Sequence, residues 1–163
     1  MDIQKLFSEI IPPGDYSHRN GFNNTHLINQ LNEYERQQLE DALINKLLDK
    51  TDLLVVETLA YMKSEKSLLV LYNLLEKTSD NMDKLVIATS IFEINKDDRL
   101  IDIGMKAFNE LSNKSSIYAK YLITSAFFYL IKFEDSKVNN IIEEYTKHSD
   151  YLISYNAKRA LSL

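Results

Sequence analysis

The chain has 163 residues, 45% of them hydrophobic, with no cysteine and no tryptophan, so it is long enough to bury a core and has no disulfide, thiolate zinc site or cysteine nucleophile. A formal net charge of −5 with scattered bases argues against nucleic acid, whose binding draws on clustered Lys and Arg. Met1 to Ser8 has no basic n-region, and the longest apolar stretch, Tyr121 to Ile131, is too short for a bilayer, so the expected setting is the cytoplasm with no membrane contact.

In chain order, a short helix is expected from about Ile3 to Ile11, stopped by Pro12-Pro13-Gly14 because proline cannot continue the helical ladder. Asp15 to Asn24 reads as irregular, and Thr25 to Leu31 as a short helical turn. Asn32 with Glu35 three residues on forms the signature of a capping box, and Leu39, Ala42, Leu43, Lys46 and Leu47 mark the buried stripe of the helix that follows. After Asn32 the chain is built from helix formers broken by Ser, Thr, Asp and Asn caps, with little glycine.

From there the pattern recurs as helix pairs. The first pair is capped by Thr51 or Asp52 and by Ser64, and ends near Lys77. The second opens at Ser79-Asp80, turns at Lys96-Asp97 and runs again from Arg99 to Ser112. A third starts at Ser115, turns at Glu134-Asp135 and closes with Val138 to Lys147, and Ser149 to Leu161 supplies one last helix. Aligning Thr58, Thr89, Thr124 and Asn156 in the first helices gives offsets of 31, 35 and 32 residues by subtraction, within the range of helical repeats.

The segment Val55-Val56-Glu57-Thr58-Leu59-Ala60-Tyr61-Met62-Lys63-Ser64-Glu65-Lys66-Ser67-Leu68-Leu69-Val70-Leu71-Tyr72-Asn73-Leu74-Leu75 resembles a HEAT repeat, with small buried residues in its first helix and a Leu-rich second helix. Tyr155 to Leu161 is similar to a further first helix. The sequence departs from that pattern at Val70, where proline is usual, and at Lys63-Ser64, where the turn usually carries Gly-Asp. The resemblance, to armadillo/HEAT-type α-solenoids, implies an all-α, right-handed α-solenoid of about three and a half helix pairs. Residues 1–32 would form an N-terminal capping helix and loop, and 33–163 the repeats, within one domain.

The resemblance further implies that the second helices line a concave side. With Leu68, Leu71 and Leu75, then Ile101, Gly104, Phe108 and Leu111, then Val138, Ile141, Ile142 and Tyr145 assigned to the core, the residues left for that surface include Tyr72, Asn73 and Glu76, Asn109 and Glu110, and Asn140, Glu143 and Glu144. Such a strip suits a basic protein partner anchored by Tyr72; it equally describes an ordinary solvated helix face. The N-terminal loop offers Tyr16, His18 and Arg19 as contact residues, or else Tyr16 and Phe22 as pins covering the end of the stack.

Chemistry-bearing constellations are not expected: no catalytic set, no cofactor site and no metal site. His18, His26 and His148 lack the helical spacing of a zinc site, and Gly14, Gly21 and Gly104 make no phosphate-cradling loop. Gly104 falls mid-helix, where close helix packing explains it. Tyr118, Tyr121, Phe127, Phe128, Tyr129 and Phe133 crowd one helix and read as the core of a helix buried by both neighbours. The expected function is a non-catalytic protein-binding module, monomeric or weakly self-associating. By analogy with small acidic helical-repeat proteins, its sharpest form is a bacterial immunity protein that neutralises a toxin; a scaffold or regulatory subunit is the alternative, and a repeat-type DNA glycosylase is opposed by the missing basic face.

Overall fold

The computed structural model describes residues 3–14, 22–113 and 118–163, and within them every regular element is helical, with no strand. The elements are α1 (Ile3–Ile10), α2 (Thr25–Ile28), α3 (Glu33–Asp49), α4 (Leu53–Tyr61), α5 (Leu68–Lys77), α6 (Asn81–Asn95), α7 (Arg99–Ser112), α8 (Ala119–Leu130), α9 (Ser136–Tyr145) and α10 (Tyr151–Leu161). Short 3-10 turns, Glu65–Ser67 and Ile131–Phe133, precede α5 and follow α8. The chain folds as two compact units, Met1–Glu76 and Lys77–Leu163. Among the described residues, no helix is long and apolar enough to cross a membrane.

In the first unit, α3 packs on α1 and α4 over a core that includes Ile10, Ile28, Leu39, Leu43, Val56 and Leu59. The capping box at its start is complete: Asn32 Oδ1 accepts from the Glu35 amide at 3.0 Å, and Glu35 Oε2 accepts from the Asn32 amide at 3.1 Å. Of the expected stripe, Leu39, Leu43 and Leu47 are buried, whereas Ala42 and Lys46 are only half-buried. Asn24, in a stretch with no regular pattern in the sequence, is a buried tie. Its Nδ2 donates to the Ile10 carbonyl at 3.1 Å and to Thr58 Oγ1 at 2.8 Å, joining the end of α1 to the middle of α4. Phe22, by contrast, is exposed and does not pin the segment.

In the second unit, α6 packs on α7 and α8, α8 on α7 and α10, and α9 on α10. Like ends meet along α6, α8 and α10. Lys132 Nζ donates to Glu93 Oε2 at 3.1 Å where α6 and α8 finish, and Lys120 at the start of α8 pairs with Asp150, the N-cap of α10, at 3.7 Å. α7 and α9 are likewise joined near their ends, through Phe108 and Tyr145 at 5.6 Å between ring centroids. Gly104 has the packing purpose expected of it: a Cβ there would lie 2.5 Å from Phe133 Cε2 and 3.4 Å from Leu85 Cδ1.

Three turns between successive helices share one backbone device. Lys63, Lys96 and Glu134 all have positive φ, at 57°, 55° and 52°, and each is followed by a small polar or acidic residue, Ser64, Asp97 or Asp135. Lys63 occupies the place where the resembled repeat carries glycine, the residue that adopts this conformation without strain. Counted from these residues, the turns are 33 and 38 residues apart by subtraction, so the threonine register of 31 and 35 does not align equivalent turns. Four and eight residues after each left-handed position the chain is buried in every case: Ser67, Leu100 and Val138, then Leu71, Gly104 and Ile142. Acid caps account for four helix starts: Asp52, Asp80, Asp135 and Asp150 each accept backbone amides of the first turn. For α7, Asp97 accepts the Arg99 amide, while the Asp98 side chain makes no cap bond. Ser64 makes no cap bond either, and its buried Oγ has no partner.

Candidate functional site

The proposed binding residues fall into both units and are described unit by unit. In the first, Asn73 and Glu76 on α5 are exposed, but Tyr72 is half-buried and engaged, so it does not offer the exposed anchor expected of it. Tyr16, His18 and Arg19 lie outside the described residues.

In the second unit, Asn109, Glu110, Asn140, Glu143 and Glu144 are all exposed. Phe108 and Tyr145 meet near the ends of α7 and α9; the last turn of α7 carries Asn109 and Glu110, and that of α9 carries Glu143 and Glu144. Beneath them, Leu111, Phe108 and Ile142 are buried, which holds both turns against the core. Glu110 accepts a hydrogen bond from Asn81 Nδ2 at 2.9 Å. Neither last turn contains a basic residue. Among the described residues, no ion pair reaches Glu143 or Glu144.

That placement opposes the local electrostatics. The C-terminal turn of a helix presents unpaired carbonyls equivalent to roughly half a negative charge, and a carboxylate there is disfavoured by about 0.3–1 kcal/mol at low salt. Glu110 near the end of α7, and Glu143 and Glu144 near the end of α9, therefore each add negative charge to a helix terminus that is already negative.

A second exposed face, formed by α8 and α10, was not legible in the sequence. Tyr118 and Tyr121 stand 72% and 52% exposed instead of filling the core, while Phe127 and Phe133 are buried as expected and Phe128 and Tyr129 are half-buried. On α10, Tyr151 and Tyr155 are also exposed and stack at 5.7 Å between centroids. Arg159 continues the stack, its Cζ 5.9 Å from the Tyr155 ring and 5.7 Å from that of Phe128 on α8. At the other end of the face, Lys120 lies over Tyr121 and pairs with Asp150. Partial desolvation pushes the Asp150 carboxyl up, but the Leu152 and Ile153 amides, Lys120 and His148 outweigh it and hold that carboxyl below the usual range. The i, i+3 and i, i+4 spacings of Tyr118, Tyr121, Tyr151 and Tyr155 place them on helix faces; which faces are exposed depends on neighbours far along the chain.

Metal chemistry has no visible seat here, since no group of three or more His, Asp or Glu side chains is gathered among the described residues. No family model matches this chain, and neither a curated protein nor a solved structure does.

Proposed function

We propose that this chain is a non-catalytic protein-binding module of the HEAT-like solenoid type, acting in the cytoplasm on a basic partner, and that its sharpest form is an immunity protein neutralising a toxin. The repeat reading is supported in the second unit by the meeting of like ends along α6, α8 and α10, and in the chain by three turns of one backbone form. The observation that carries the binding reading is the set of exposed carboxylates at two helix C-termini, Glu110 on α7 and Glu143 and Glu144 on α9. Folding alone disfavours acids at those positions, so a role in recognition accounts for them better than solvation does. Exposed Asn109 and Asn140 add hydrogen-bonding capacity beside the charge.

The test is co-purification of the tagged full chain from its native host, followed by mass spectrometry, for the wild type and for Glu143→Lys with Glu144→Lys. A basic partner recovered with the wild type and lost with the double variant, at a melting temperature no lower than that of the wild type, is expected. A partner retained by the double variant removes the assignment of this site. The immunity form carries its own requirement: the partner, expressed without this chain, must arrest growth, and co-expression must restore it.

A further inference from the structure

We propose that the α8/α10 face is a second docking surface, and that it takes an acidic protein segment whose carboxylate is held by Arg159. The face joins exposed tyrosine rings to a guanidinium in one continuous stack, Tyr151, Tyr155, Arg159 and Phe128. Arginine and tyrosine are residue types that concentrate binding energy at interfaces, and tyrosine supplies a large contact area at small entropic cost.

Arg159 decides the chemistry of the partner. Its guanidinium lies over two rings, Phe128 and Tyr155, whose faces attract it, while its five N–H donors lie in the guanidinium plane and are not used by those ring contacts. Among the described residues it makes no side-chain hydrogen bond and no ion pair. A fork of donors left without an acceptor matches a planar carboxylate in bidentate fashion.

The charge around it has the same sign. Lys120, Lys158 and Arg159 are the cations of this face; the acid beside them, Asp150, is engaged by Lys120 and by the first amides of α10. This makes the face locally cationic on a chain of net charge −5. An extended polyanion such as single-stranded nucleic acid would meet too few cations here and would be repelled by the rest of the molecule. A short acidic segment with apolar residues beside its carboxylates satisfies both the guanidinium and the tyrosine rings.

A random dodecapeptide phage library panned on the full chain tests this, with the enriched peptides synthesised and measured by fluorescence anisotropy. The expected peptides are enriched in Asp and Glu beside aliphatic or aromatic residues. They should bind Arg159→Glu at least about tenfold more weakly and Arg159→Lys to an intermediate degree, since an ammonium keeps the charge and loses the fork. Arg159 is exposed, so circular dichroism of the variants should match the wild type. The Glu143→Lys, Glu144→Lys variant should bind these peptides as the wild type does, which separates this surface from the acidic one. No enrichment, enrichment without acids, or peptides indifferent to Arg159→Glu each overturn the proposal. Binding of an oligothymidine as tight as that of the peptides overturns it in favour of a polyanion. So does wild-type self-association in sedimentation that Arg159→Glu abolishes, because the occupant would then be a second copy.

Discussion

At the scale of single residues, Gly104 shows how one absent methyl group sets the spacing of helices. The Phe133 ring fills the space where its Cβ would be, and that ring is 2% exposed and packed edge-on against Phe92 at 5.1 Å. Gly104→Ala sets two effects against each other: alanine favours the helix by about 1 kcal/mol, and forcing a buried ring aside costs about 1–3 kcal/mol. A ring enclosed on several sides cannot turn away cheaply, so overpacking wins. A net loss of about 1–2 kcal/mol is expected in chemical denaturation, reduced when Phe133→Leu removes the clash. A Gly104→Ala protein as stable as the wild type would mean that the ring relaxes. Asn24 makes a related point, because an irregular stretch contributes a buried amide that satisfies two acceptors on separate helices.

At the scale of elements, the helix starts were legible because capping is local chemistry. Asn32, Asp52, Asp80, Asp135 and Asp150 all accept first-turn amides, each at or within a residue or two of a start the sequence placed, while the expected cap Ser64 makes no such bond. The breaks at Lys63-Ser64, Lys96-Asp97 and Glu134-Asp135 were legible from polar interruptions of the pattern, although Lys63, Lys96 and Glu134 adopt the left-handed conformation that glycine marks in other sequences. This choice has a measurable cost, since a non-glycine residue there forgoes about 1–2 kcal/mol, partly offset by the greater unfolded freedom of glycine. Glu134→Gly should therefore stabilise by about 0.5–1 kcal/mol, because the side chain it removes makes only an exposed ion pair with Lys96. Lys96→Gly should gain less. Its ammonium lies 4.7 Å from the centroid of the Phe92 ring, a contact of about 0.5–1 kcal/mol. Equal gains, or losses at both positions, would show that these turns are held by something other than backbone conformation.

At the scale of the molecule, the helical class followed from periodicity and caps, whereas the binding faces did not. Exposure along a helix is decided by which other helices pack on it, and nothing within Tyr118 to Phe133 tells which of its aromatics meets a neighbour. The acidic residues Glu110, Glu143 and Glu144 were legible as surface, but the contact that joins their turns depends on Phe108 meeting Tyr145 from 37 residues away, by subtraction. In a chain of net charge −5, acids at helix C-terminal turns are opposed both by the helix ends and by the net charge of the molecule. Glu143→Gln with Glu144→Gln should therefore raise stability by about 0.5–1 kcal/mol at low salt, although it removes no clash and adds no contact. Since the repulsion is exposed, salt of about 0.5 M should screen it. The wild type should gain stability from salt, and the double variant should gain less. If the two respond to salt alike, the carboxylates are not opposed by their surroundings, and the case for their having been placed there for a partner fails with that result.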